Sequence, residues 1–388
     1  MKILADHLPS RRDFMRLLSM GAGATVGGTA ALAQPLRWLT GDTFADRKLG
    51  VALVGLGKYS TGRLAPALQQ TKWCRLAGIV TGSPAKAARW KQEYNLSDKS
   101  IYDYKTFDRI ADNPDIDIVY VVLPNALHAE YVVRAAQAGK HVICEKPMAT
   151  SAADARRMIE AVQKAGKKLS IGYRLHFEPH HREMMRLGQQ QVFGPVQRLL
   201  ADNGFKFNND TPWRVSKALG GGGPLMDMGI YCVQGCIYTK GQVPVSVTAK
   251  FTPKTDPVLF KEVEAGVNWQ MQFADGSVAD CRTTYAENMA SRLRADATKG
   301  WAELAPAFGY GGLQGRTSQG AMNIQNVNQQ AEQMDDFADC ILRNKPTRVP
   351  GEMGLRDVRL LEAIYRAAET GQKVSTKEVA AVLDKVSR

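Results

Sequence analysis

An apolar run that ends in a glycine turn and reopens as a helix is the feature that most restricts the fold. Leu49-Gly50-Val51-Ala52-Leu53-Val54 runs directly into Gly55-Leu56-Gly57-Lys58-Tyr59-Ser60, and a helical pattern follows over residues 61–70. A strand apolar on both faces belongs inside a parallel sheet covered on both sides. In that setting Gly55 permits the tight turn and Gly57 lets the backbone approach a pyrophosphate. The free N–H groups of the first helical turn face the anion. Leu56, Lys58 and Tyr59 complete the loop. Ser60 stands where glycine is usual, which predicts slightly looser helix–strand packing.

The pattern repeats down the chain. A second strand over 75–80 ends at Thr81-Gly82-Ser83, with Lys86 just beyond. An NAD-selective site carries a carboxylate here for the ribose 2′-hydroxyl. Hydroxyls and a lysine instead accommodate a 2′-phosphate, so the expected cofactor is NADP. A helix is expected over 103–111. Residues 116–123 form a third strand, ending at Leu123-Pro124-Asn125-Ala126-Leu127-His128. His128 reads either as a satisfied helix-terminal histidine or as a ribose contact. His141-Val142-Ile143-Cys144 is the next strand, and Glu145-Lys146-Pro147 stops it, because proline has no N–H for the ladder. Lys146 thereby stands at the carboxyl edge of the sheet, where open α/β sheets bind ligands. Thr150 or Ser151 caps the following helix, with Asp154 in its first turn. Residues 167–173 supply a further strand, and this alternation of strand and helix is a doubly wound parallel sheet.

After Arg174 the period changes. Residues 194–203 and 245–251 read as strands, and Trp269-Gln270-Met271-Gln272-Phe273 alternates apolar and polar. Asp275-Gly276 turns, 278–284 returns and 292–297 alternates again. Such alternation predicts an antiparallel sheet with one face exposed or used for subunit contact. Helices over 328–344 and 354–370 close the chain. The expected architecture is α/β: a Rossmann domain over 49–173, then an α+β domain over 174–388 whose last helices can pack back on the first.

Gly220-Gly221-Gly222-Gly223 precedes Pro224-Leu225-Met226-Asp227-Met228-Gly229-Ile230-Tyr231. The glycines are expected to let substrate or cofactor approach the backbone. Asp227 and Tyr231 are four apart and share a helix face. An acid, a phenol and a lysine suit reversible proton exchange with a carbinol oxygen. A dipole-favouring aspartate and a buried amphipathic tyrosine would leave the same trace.

The 388 residues fit about two domains. No stretch reaches the roughly 18 apolar residues of a membrane span, so stable membrane insertion is not expected. The formal charge of +13 comes without a basic run or nucleic-acid motif, which indicates a solvated basic surface and no nucleic-acid partner. Ser10-Arg11-Arg12-Asp13-Phe14-Met15-Arg16, a Gly/Ala-rich stretch and Ala31-Leu32-Ala33 read as a twin-arginine signal over 1–33. The export machinery is then a partner and the periplasm the destination. Residues 34–48, with Trp38 and Leu39, read as an extended arm over the cofactor or a neighbouring subunit. Cys74, Cys144, Cys232, Cys236, Cys281 and Cys340 show no metal-ligand spacing; Cys74, Cys144 and Cys281 lie in strand-like runs and are expected as buried free thiols, and Cys232 and Cys236 share a helix face, a poor disulfide geometry.

Gly55-Leu56-Gly57-Lys58-Tyr59, the Leu123 to His128 motif, Cys144-Glu145-Lys146-Pro147-Met148-Ala149-Thr150 and the Leu225 to Tyr231 motif together resemble the glucose–fructose oxidoreductase / inositol dehydrogenase / rhizopine-catabolism family. The resemblance spans residues 35–375. Tyr231, where many members have histidine, and the leader resemble its periplasmic glucose–fructose (or aldose–aldose) branch. The resemblance implies Tyr231 as acid/base, Lys146 polarising the sugar oxygen and Asp227 orienting substrate. Arg174, His176, Trp213 and Arg214 would line cofactor or sugar, and Thr81, Lys86 and Tyr104 would surround the adenosine phosphate. Leu123, Pro124, Asn125, His128 and Glu145 would complete the cofactor edge. It also implies a homodimer or homotetramer. Ser60 and a short stretch at 208–212 depart from the family pattern and leave fructose and an aldose equally open as acceptor.

An exported enzyme meets no NADP(H) pool. The expected reaction is therefore internal recycling: glucose to its lactone, then a second sugar to its alditol, in a ping-pong shuttle. An NAD-dependent exported glycosidase of the same superfamily and a sugar dehydrogenase with exchangeable NAD(P) are the alternatives. A non-catalytic sugar-binding regulator is disfavoured by the joint presence of Lys146 and Tyr231.

Overall fold

The computed structural model describes residues 47–379. The expected signal over 1–33, and the arm over 34–48 save its last two residues, lie outside the described residues.

Six strands form the first sheet: β1 (Leu49–Val54), β2 (Cys74–Val80), β3 (Ile101–Tyr102), β4 (Ile118–Val121), β5 (His141–Cys144) and β6 (Leu169–Ile171). All run parallel, in the order β3-β2-β1-β4-β5-β6. Every residue of β1 is buried, as a strand covered on both faces requires. The helices covering it are α1 (Ala65–Leu68), α2 (Pro84–Glu93), α3 (His128–Gln137) and α4 (Ala152–Lys164). Strand order reverses between β1 and β4, so the crevice beyond their carboxyl ends is the topological switch point where such sheets take ligands.

Three local expectations need amendment. The chain between β1 and α1 is a π-turn, Ser60–Leu64. Ser60 is fully buried and its hydroxyl donates to Gly55 O at 2.6 Å, so the hydroxyl ties helix to turn instead of loosening the packing. Over 103–111 only a 3₁₀ stretch forms, Phe107–Asp112. The Asp103 carboxylate there accepts the N–H groups of Lys105 and Thr106 and closes a turn first.

The second part opens with α5 (Pro179–Gln189), β7 (Val196–Gly204), α6 (Lys217–Gly220) and α7 (Ile230–Lys240). Then come β8 (Ser246–Phe251), β9 (Gly266–Gln272), β10 (Val278–Thr284), β11 (Arg292–Ala297), β12 (Gly300–Leu304), β13 (Gly315–Thr317) and β14 (Gly320–Ala321). The chain closes with α8 (Gln329–Leu342), α9 (Gly351–Thr370) and β15 (Val374–Ser375). The nine strands form one sheet in the order β14-β13-β12-β11-β7-β10-β9-β8-β15, antiparallel except for the β7–β10 pair. Along β9, Val267, Trp269 and Met271 are buried while Asn268 and Gln270 face solvent, the period of a sheet with one covered face. Every residue of α7 is buried, and this helix packs on β7, β10 and β11.

Helix α8 returns to the first sheet. Met334, Phe337 and Ala338 share a core with Leu53, Ile79 and Tyr120. Asp335 accepts the N–H groups of Lys72 and Trp73 at 2.9 and 2.8 Å. The glycine run ahead of α7 is packed by protein. A Cβ on Gly222 would stand 2.0 Å from the Tyr365 hydroxyl and one on Gly223 2.6 Å from Glu264 O. These glycines seat the chain against α9 and Glu264, and the expected close approach of a ligand is replaced by these contacts. All six cysteines are buried and free.

Candidate active site

The switch-point crevice opens into a cavity of about 450 Å³ between the two sheets. Its nucleotide end is built by the turn after β1. Gly55 has φ +93°, and a Cβ there would meet Val122 O at 2.4 Å, so only glycine fits. A Cβ on Gly57 would meet nothing within 4 Å, which leaves the backbone open to a bulky anion. The Thr61 N–H makes the first helical bond, to Gly57 O, so the amides just before it remain available. Leu56, Lys58 and Tyr59 line the same wall.

Beyond β2, Thr81, Gly82, Ser83 and Lys86 line the cavity with Tyr104, whose ring flanks Gly82. Ser83 caps α2, and Lys86 Nζ donates to Leu56 O at 3.0 Å, which holds the ammonium across the mouth of the glycine turn. Two hydroxyls, an ammonium and no carboxylate at this strand end fit a phosphorylated ribose. Leu123, Pro124 and Asn125 form the next stretch of wall, and Asn125 Nδ2 donates to Gly220 O at 2.8 Å, linking the two parts of the chain.

The chemical end is built around Asp227, which precedes α7 on a π-turn, Leu225–Gly229. Lys146 Nζ donates to Asp227 Oδ1 at 3.1 Å and to its backbone carbonyl at 2.7 Å. Arg214 pairs with Asp227 Oδ2, and the Tyr285 hydroxyl donates to that oxygen at 2.7 Å. Burial by itself would raise the Asp227 pKa, but Arg214, Lys146 and Tyr285 hold it well below the usual carboxylate range. Burial also works against the charge of Lys146, yet Tyr231 and Asp227 outweigh it and hold the ammonium charged. Both Asp227 oxygens are thus engaged. This aspartate positions Lys146 and Arg214 from the cavity wall.

Lys146 Nζ also lies 4.6 Å from the centroid of the Tyr231 ring, and Tyr231, Trp213 and Arg214 line the cavity beside it. Glu145 accepts from the Tyr120 hydroxyl at 2.7 Å and from the Lys146 N–H at 3.2 Å. Burial raises its pKa, with Tyr120 and Lys146 opposing.

Three expected site residues stand elsewhere. His128 is fully buried, with both ring nitrogens 2.9 Å from backbone carbonyls, those of Pro147 and Leu123. It braces the two loops from behind and is no ribose contact. His176 packs edge-on against Tyr238 at 3.9 Å and is outside the cavity, so it cannot hold sugar. Arg174 is buried behind the wall, donating to Phe308 O at 2.7 Å and Gly309 O at 2.8 Å and pairing with Gln329. Its guanidinium lies 5.0 Å from the Tyr231 ring centroid and 4.3 Å from that of Tyr310, so it acts through these rings.

Tyr285, Thr211 and Tyr310 are site residues that the sequence reading misses. Tyr285 follows a strand whose alternation marks it only as core. Tyr310 stands in Phe308-Gly309-Tyr310-Gly311-Gly312, and an aromatic flanked by glycines was the one local signal available.

Comparison with known proteins agrees with this construction. The family model described as "Oxidoreductase family, NAD-binding Rossmann fold" matches residues 49–173. The "GFO/IDH/MocA C-terminal domain" matches 181–303, and the "Oxidoreductase family, C-terminal alpha/beta domain" matches 318–376. The D-xylose 1-dehydrogenase [NADP(+)] of Haloarcula marismortui is 28% identical over 86% of this chain and 94% of its own. Aldose-aldose oxidoreductase from Caulobacter crescentus, solved with glycerol, superposes with TM-score 0.82 at 43% identity, covering 85% of this chain and all of that one. KijD10, a 3-ketoreductase from Actinomadura kijaniata solved with NADP and TDP-benzene, shares the fold with TM-score 0.73 at 22% identity, over 83% of this chain and 98% of its own.

Proposed function

The chain belongs to the GFO/IDH/MocA oxidoreductase family, and we propose that within it the chain oxidises one aldose and reduces a second sugar through an NADP that it does not release. It is a sugar oxidoreductase with NADP as cofactor. The finer reading rests on one observation: charged Lys146 lies against both Asp227 and the Tyr231 ring at the carboxyl edge of the dinucleotide sheet. The likeness to the Caulobacter aldose-aldose oxidoreductase supports aldoses as both partners.

Bound there, NADP would supply the hydride acceptor for one sugar carbon and, reduced, the hydride donor for another. The turn at Gly55, Gly57 and Lys58 would hold its pyrophosphate, and Thr81, Ser83 and Lys86 its ribose phosphate. Tyr231 takes the hydroxyl proton of the first sugar as its C1–H bond breaks, and the product leaves as a lactone. The second sugar gains that proton at its carbonyl oxygen and leaves as an alditol. Lys146 lies close enough to stabilise negative charge on the shared oxygen in both directions. Asp227 keeps Lys146 in place.

The export motif at Ser10 to Arg16 supports a periplasmic location, where no exchangeable NADP(H) is at hand. The broad exposed face of the nine-stranded sheet supports a homodimer or homotetramer. Stopped-flow absorbance on the protein as purified tests the reaction. Glucose alone should reduce the bound nucleotide in one turnover, and a second aldose alone should reoxidise it. Tyr231→Phe should slow both half-reactions by roughly 10²–10⁴ with the fold intact. If no sugar reduces the nucleotide, the glycosidase reading replaces this one.

A further inference from the structure

The groups that could grip a sugar are fewer than the polar lining suggests. Asp227 is taken up by Lys146, Arg214 and Tyr285, and Glu145 accepts from Tyr120 and the Lys146 amide. Tyr310 is different. It lines the same cavity and is 42% exposed, and its hydroxyl has no hydrogen-bond partner among the described residues.

The ring is nevertheless held. Its centroid lies 4.7 Å from the Arg63 guanidinium and 4.3 Å from that of Arg174, and it tilts against Tyr59 at 5.8 Å. The backbone leading to it is pinned from inside. His181 Nε2 donates to Ala307 O at 2.8 Å, the Phe308 N–H donates to Ser291 Oγ at 2.9 Å, and Arg174 holds the next two carbonyls. Past the tyrosine the restraint ends: added Cβ atoms on Gly311 and Gly312 would meet nothing within 4 Å. A fixed ring that carries an uncommitted hydroxyl into a polar cavity is arranged to read a ligand hydroxyl. Arg174 touches both this ring and that of Tyr231, at 4.3 and 5.0 Å from their centroids, which puts Tyr310 at the reacting end and away from the ribose-phosphate end.

We propose that Tyr310 hydrogen-bonds one hydroxyl of the sugar and thereby sets which aldoses the site accepts, an inference that rests on the sugar reading above. A neutral hydrogen bond at a partly exposed rim changes binding by about tenfold at most, so Tyr310 acts on sugar affinity more than on the chemical step.

The test compares the NADP-loaded protein with Tyr310→Phe, which keeps the ring and both guanidinium contacts. Single-turnover reduction of the bound nucleotide is followed against glucose and its mono-deoxy analogues. The half-saturating glucose concentration should rise about tenfold in the variant, with a much smaller change in limiting rate. One analogue should already be about tenfold weaker with the unaltered protein, and the substitution should weaken it no further, because the hydroxyl it lacks is the one Tyr310 reads. The proposal is overturned if glucose saturates the variant within about twofold of the unaltered protein, or if every analogue is weakened alike. Failure of glucose and all analogues to reduce the nucleotide in the unaltered protein would instead remove the sugar reading, and this inference with it.

Discussion

Asp227 shows how a single carboxylate can organise a site through the cations it holds. Lys146, Arg214 and Tyr285 converge on it from three separate parts of the chain, and all are at least partly withdrawn from solvent. Removing one member of a buried charge cluster leaves the others uncompensated. Asp227→Asn keeps the shape but leaves Lys146 and Arg214 without a counter-charge, and should cost about 3–5 kcal/mol of stability. Denaturant titration of the two proteins measures this, and a loss below about 1 kcal/mol would mean that the cations relax into solvent. The Lys146 pKa should fall as well, since one of the three groups raising it is gone.

Among the elements, the segment that leads from β7 to α6 spans both ends of the cavity. Asp210 pairs with Lys58 of the glycine turn at 2.6 Å, Thr211 and Trp213 line the cavity, and Arg214 reaches Asp227. This strap joins the pyrophosphate end to the chemical end across two sheets. The Lys58–Asp210 pair is exposed, so its contribution is small and screened by salt. Asp210→Asn should speed nucleotide loss by a small factor, about two- to fivefold, at low ionic strength. The difference should vanish in molar salt. Filtration of the loaded proteins at two salt concentrations measures it, and equal rates at low salt would show that the strap is held by Trp213 and Arg214 alone.

Across the molecule, burial holds four histidines toward the neutral form. Burial lowers the pKa of His181 to about 4 and that of His176 to about 3, and it lowers His141 to about 4 and His128 in the same direction. In the unfolded chain an imidazole titrates near about 6.5. Each therefore supports the fold fully above that pH, and the support is lost as the pH falls through the folded value. For His181 the change is on the order of 3 kcal/mol. Thermal unfolding should be flat near neutrality and fall steeply between pH 6 and 4. A melting temperature that stays constant down to pH 4 would show that these imidazoles are hydrated in solution.

The doubly wound sheet, the glycine turn, the strand end at Thr81 to Lys86 and the place of Lys146 at a sheet edge were all legible in the amino-acid order. Each depends on neighbours in the chain: a strand's period, the turn that ends it, and the edge to which the turn delivers the next side chain. The grouping of Lys146 with Asp227 and Tyr231 came from the family resemblance. The packing of distant segments decided the rest. It turned His128 and His176 away from the cavity and put Arg174 behind the tyrosines. It filled the space beside the glycine run with Tyr365 and Glu264, and it brought Tyr285 and Tyr310 to the reaction centre. No local period records which side chain meets another a hundred residues away. That is decided only when the two sheets close on a shared core and each buried polar group must find a partner.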